Sequence, residues 1–148
     1  MKTFVAILSL IAIQGCEVCP AADKWKALSM LESGNCDNVT GPSQEISRYQ
    51  ILPDVWRAET SLPFSSALNP FTARNVAKSI MEKRVRHFLY AHNRQPTAGE
   101  WALLFHCPAH VLKPSAQELD YRKRFLALLA ERQVQQRCVE RKINVRSP

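Results

Sequence analysis

At 148 residues the chain has room for one domain with a respectable core and none for a second. Its 46% hydrophobic and 22% charged residues are ordinary for a globular protein, and only four glycines and few consecutive β-branched residues argue against a β-sandwich. The net charge of +7 suits an anionic envelope polymer or membrane surface; no aromatic–basic interleaving accompanies it, so nucleic acid is not an expected partner.

The first 22 residues read as an export signal and linker. Met1-Lys2 supply a short positive start, and Phe4 to Ile13 form an apolar run too short for a stable membrane span. Gly15-Cys16 then resembles a lipobox, which makes Cys16 a candidate lipidation site and the membrane a partner through that lipid. Plain signal cleavage near Ala21 or Ala22 is the alternative. Either reading places the protein outside the cytoplasm, in the periplasm or cell envelope.

The following segment, residues 23–140, is expected to be one mainly α-helical domain of about five helices. Asp23 can cap a helix from Lys24 to about Ser33, with Trp25, Leu28 and Leu31 on one face and Gly34 as its stop. Residues 35–47 are polar, contain Gly41-Pro42 and read as a loop. Pro53 opens a short helix through Glu59 with Val55 and Trp56 inward. Asn69-Pro70 is a cap followed by proline, and Val76, Ala77, Ile80, Met81, Val85, Phe88 and Leu89 then predict an amphipathic helix to about His92. On it, Lys83, Arg84 and Arg86 read as a solvated face.

Thr97-Ala98-Gly99-Glu100 is a capping box, and the helix it starts ends at Pro108. Ser115-Ala116-Gln117-Glu118 is a second one. Its helix is expected to run from Ala116 to around Val139, burying Leu119, Phe125, Leu126, Leu129 and Val134, with 141–148 a disordered tail.

Two short motifs carry the functional reading. Glu32-Ser33-Gly34-Asn35 sits at the end of the first apolar helix, and Gln50-Ile51-Leu52-Pro53 follows the polar loop. Together they resemble the bacterial lytic transglycosylases of the goose-type-lysozyme-like superfamily. Those enzymes have a Glu-Ser-Gly-Asn-like motif at a helix end, a Gln-Ile-x-Pro motif after it and an aromatic-Asn-Ala-Gly-like segment further on. Leu104-Phe105-His106-Cys107-Pro108 stands in the third place, with His106 and Cys107 where Asn-Ala is usual and no glycine. The resemblance covers roughly residues 24 to 130.

It implies a lysozyme-like fold with a polar cleft loop, peptidoglycan as partner, a monomer and no cofactor. The implied reaction is cleavage between N-acetylmuramic acid and N-acetylglucosamine, non-hydrolytic, with a 1,6-anhydro product. The alternative is a catalytically inert peptidoglycan-binding or scaffolding lipoprotein on the same fold. Glu32 takes the catalytic role. A carboxyl walled in by apolar neighbours has a raised pKa, as a general acid needs near neutral pH.

Glu45, Ser47, Tyr49, Gln50, Phe105, His106 and Tyr121 are the candidate substrate-binding residues. Glu45 could hold an attacking water, which would make the reaction hydrolytic. Gln50 can donate to and accept from an N-acetyl group, and Tyr49 offers an aromatic face to a sugar ring. In the family the segments carrying Cys36 and Cys107 come together, which implies a Cys36–Cys107 disulfide. Cys36, His106, Cys107 and His110 could also be read as a zinc set, but their spacing matches no established zinc motif, so no metal is expected.

Overall fold

The protein, seen in a computed structural model, is described over residues 21–146, with side chains from 24 to 138. Cys16 and the rest of the export segment up to residue 20 lie outside the described residues.

Five helices, α1 (Ala21–Ser33), α2 (Pro53–Glu59), α3 (Pro70–His92), α4 (Ala98–His106) and α5 (Ala116–Arg146), make the fold mainly α, and no strand occurs among the described residues. Their starts follow local chemistry. The Asn69 side chain accepts from the amides of Phe71 and Thr72, with Pro70 next in the first turn. The Thr97–Glu100 box is reciprocal, and so is the Ser115–Glu118 box. α1 begins at Ala21, so Asp23 lies within the helix rather than capping it. It stops at Gly34 and Asn35, both left-handed with φ of 65° and 66°.

One core joins these helices. α1 packs on α5, and α4 packs on both α3 and α5. Trp56, Phe88, Phe125, Leu28 and Leu103 are its largest fully buried side chains. Trp25 stands edge-on to both Tyr49, at 5.6 Å between centroids, and Trp101, at 5.2 Å.

α5 departs from expectation twice. Its buried face is Tyr121, Phe125 and Leu129, spaced by four, whereas Leu119, Leu126 and Val134 are exposed. Leu126 is one residue past Phe125 and so lies about 100° round the helix. The helix also continues to Arg146, through the stretch read as a disordered tail. Residues 139–146 hold neither glycine nor proline, and their Arg, Lys and Glu favour helix.

Residues 34–52 form the connection that shapes the site. Isolated antiparallel bridges join Thr40 to Ile46 and Ile46 to Ile51. Arg48 grips Asp37 through two parallel bonds, one of them 2.8 Å, and Ser33 Oγ donates to the Arg48 carbonyl at 3.0 Å. The loop is thus tied back to the end of α1.

Candidate functional site

A half-open groove of about 240 Å³ lies between the end of α1, the 41–52 loop, α3 and the end of α4. Glu32, Glu45, Gln50, Arg84, Phe105 and His106 line it, above an apolar floor that includes Ile51, Val55 and Ile80. Residues far apart in the chain meet here because α1 and α4 both end at it.

Glu32 is half-buried, and burial pushes its carboxyl up from 4.5 to about 7. The Tyr121 hydroxyl donates a hydrogen bond to Glu32 Oε1, which favours the carboxylate, but loss of solvation outweighs it. The Glu45 charge pushes the same way as burial, and Arg124 weakly opposes it. Half the Glu32 carboxyls therefore still carry a proton near neutral pH.

The Tyr121 hydroxyl is itself held well above its usual range, chiefly by burial and then by the Glu32 charge, so it stays a donor. Replacing Tyr121 with Phe removes the one hydrogen bond that lowers the Glu32 pKa. Its titration midpoint should then rise above the wild-type value, read by the carboxyl carbon shift in an NMR titration.

His106 stacks on Tyr121, with centroids 4.1 Å apart and planes 14° from parallel. Contact with that ring removes water from one face and lowers the His106 pKa, although its outer face stays exposed. The imidazole is thereby biased to the neutral form, so it does not impose on Glu32 the positive charge that would draw off its proton.

Glu45 projects into the groove from a turn built on Gly41. A Cβ on Gly41 would lie 2.1 Å from Glu45 Oε1 and 2.7 Å from Gln50 Oε1, so only glycine admits both side chains as they stand. Glu45 Oε2 is buried with no hydrogen-bond partner among the described residues, an arrangement that costs stability unless something from outside supplies a donor. Gln50 Nε2 donates to the carbonyls of Ser47 at 2.7 Å and Val39 at 3.2 Å. Those two acceptors fix which end of the amide is nitrogen, and leave Oε1 as the end able to meet a ligand.

Ser47 and Tyr49 are not part of the groove. Ser47 is fully buried with φ of 76°, and its Oγ accepts from the Tyr49 amide at 3.4 Å. Tyr49 is 2% exposed and spends its ring faces on Trp25 and Phe105. The left-handed residues Gln44, Ser47 and Gln50 turn the loop so that Gln50 faces the groove while Ser47 and Tyr49 face the core. Tyr121 likewise acts beneath Glu32 rather than on the groove wall.

The implied disulfide is absent, since Cys36 and Cys107 are free thiols. Cys36 is exposed just past α1, its Sγ 3.9 Å from the Gly34 carbonyl, while Cys107 Sγ lies 3.6 Å from His110 Nδ1. Cys36 keeps to its own segment, whereas the Cys107 sulfur sits beside His110 and Glu118.

Arg84 is the residue that periodicity misplaced. Instead of a solvated face it reaches under the groove, and one of its nitrogens donates to the carbonyls of Leu104 at 2.8 Å and Phe105 at 2.6 Å. These carbonyls belong to the last turn of α4, where a cation is also favoured by the helix dipole. Arg84 thereby ties Phe105 and His106 to α3. Arg84→Met should cost about 2 kcal/mol in urea unfolding, because charge-assisted bonds are lost and two carbonyls lose a donor. Its neighbours Lys83, paired with Glu59 at 3.0 Å, and Arg86 are both exposed and fit the solvated reading.

Searches against protein-family models, curated proteins and solved structures return no match to this chain.

Proposed function

We propose that the chain is a lysozyme-like domain that cleaves peptidoglycan glycan strands, with Glu32 as acid and then base. The observation that carries this reading is the half-buried Glu32 carboxyl, its pKa pushed up to about 7 by loss of solvation, in a groove shared with Glu45, Gln50 and His106. At about 240 Å³ the groove is smaller than the ~300–1,000 Å³ of usual ligand pockets, which suits a site that grips the reacting part of a long polymer. The charge of +7 suits an anionic wall.

In this mechanism protonated Glu32 gives its proton to the oxygen linking N-acetylmuramic acid to N-acetylglucosamine. That bond breaks, and the oxocarbenium-like carbon is captured by the sugar's own N-acetyl oxygen. The Glu32 carboxylate then takes the proton from the C6 hydroxyl, whose oxygen closes the 1,6-anhydro ring with the benefit of proximity. Between the two steps the Tyr121 hydroxyl donates to the carboxylate, where a hydrogen bond is strongest. Gln50 Oε1 is placed to accept from an amide N–H of substrate.

A second outcome has its own support. Glu45, with an unpartnered buried oxygen in the same groove, could orient a water and direct the reaction to hydrolysis. Purified protein incubated with sacculi decides between them by mass spectrometry. Release of 1,6-anhydro muropeptides is the expected result, reducing-end products assign the water route, and binding without any product refutes the enzymatic reading.

A further inference from the structure

Cys107, His110 and Glu118 stand outside the groove chemistry, at the junction of α4 and α5. We propose that they form a zinc site. Their ligand atoms all lie within 4.8 Å of one another. Cys107 and His110 are brought to one side by the single 3-10 turn Pro108–His110, and Glu118 comes from the first turn of α5.

The distances suit a tetrahedral ion. Zinc–sulfur and zinc–nitrogen bonds of about 2.3 and 2.05 Å at a tetrahedral angle put sulfur and nitrogen ~3.6 Å apart. Cys107 Sγ and His110 Nδ1 are 3.6 Å apart. The same arithmetic puts nitrogen and carboxylate oxygen ~3.4 Å apart. His110 Nδ1 and Glu118 Oε1 are 2.8 Å apart as a hydrogen-bonded pair, so a small rotation of the exposed imidazole makes the room.

The carboxylate is already oriented from behind. Glu118 Oε2 accepts from the Ser115 amide at 2.6 Å, which leaves Oε1 directed at His110. A sulfur, an imidazole and a carboxylate together select zinc or a similar borderline ion over calcium or magnesium, which take oxygen ligands. Three protein ligands leave a fourth position for water, on the side where His110 is exposed. Bound there, the ion would clamp the 107–111 turn to α5, directly beside His106.

The sequence also holds a Cys-x-x-Cys pair, Cys16 and Cys19, which lies outside the described residues. The test is titration of the full chain, reduced and freed of metal, with cobalt(II) and with zinc. Expected are one equivalent bound, a thiolate-to-cobalt charge-transfer band, and a zinc-dependent rise in melting temperature. The band should vanish in Cys107→Ser and persist in Cys36→Ser and in the Cys16→Ser/Cys19→Ser double variant. His110→Ala should weaken affinity by more than about tenfold.

Circular dichroism checks that the helices survive, and His110→Ala, an exposed position, decides the matter if Cys107→Ser unfolds. Glu118 is left unchanged because it caps α5. No band in the wild-type chain, a band that survives Cys107→Ser, or one that disappears with Cys16 and Cys19 would overturn the proposal.

Discussion

Glu32→Gln should abolish release of glycan fragments while leaving the helices intact. Glutamine fills nearly the same space and still accepts from Tyr121, but it has no proton to give. Losing a positioned general acid typically costs 10²–10⁴-fold, and loss of the base in the second step adds to it. The rate of muropeptide release from sacculi, normalised to folded protein, measures this. Undiminished release would remove Glu32 from the mechanism, and Glu45→Gln would then be the variant to examine.

The same substitution should stabilise the fold at alkaline pH. In the unfolded chain Glu32 ionises around its ordinary 4.5, but in the folded chain it does so at about 7. Below the lower value both states carry the proton, and the group makes no difference. Between the two values the unfolded state loses its proton first, so stability falls as pH rises. Above about 7 the full penalty is present, because the folded state must then hold a charge in a poorly solvated place.

A shift from 4.5 to about 7 corresponds to ~3 kcal/mol, an upper figure since the groove is half open. Glu32→Gln lacks this titration. Urea unfolding at about pH 8 should therefore show the variant more stable by up to ~3 kcal/mol, and at about pH 4 the two should agree. Asp37, whose pKa is lowered by its bonds to Arg48, acts in the opposite sense at acid pH, but equally in both proteins. A variant less stable at alkaline pH would mean that the carboxylate is well solvated or well paired. A stabilising loss of function is the expected mark of a site held in an unfavourable state for its chemistry.

How far the sequence reaches depends on the range of the signal. The Asn69-Pro70 start, the two capping boxes and the Gly34 stop are local, since each is satisfied within a few residues, and all four stand where the sequence places them. Glu32, Glu45, Gln50, Phe105 and His106 also meet at one groove, as the motifs imply.

Non-local contacts were harder to read. The facing of Ser47 and Tyr49 depends on left-handed backbone at Gln44, Ser47 and Gln50, none of which is glycine. Arg84 falls on the polar side of α3 by periodicity alone, because its acceptors lie on α4, twenty residues away. Glu118 was legible as a cap through one oxygen. That its other oxygen meets His110 follows only from the turn at Pro108–His110.

The most direct measurement is a carbon-13 NMR titration of the Glu32 side-chain carboxyl, assigned by its disappearance in Glu32→Gln. A midpoint near 7, moving upward in Tyr121→Phe, is the predicted result. A midpoint near the ordinary 4.5, unmoved by Tyr121→Phe, would mean a carboxylate bathed in water, with no proton to lend a glycosidic oxygen at neutral pH.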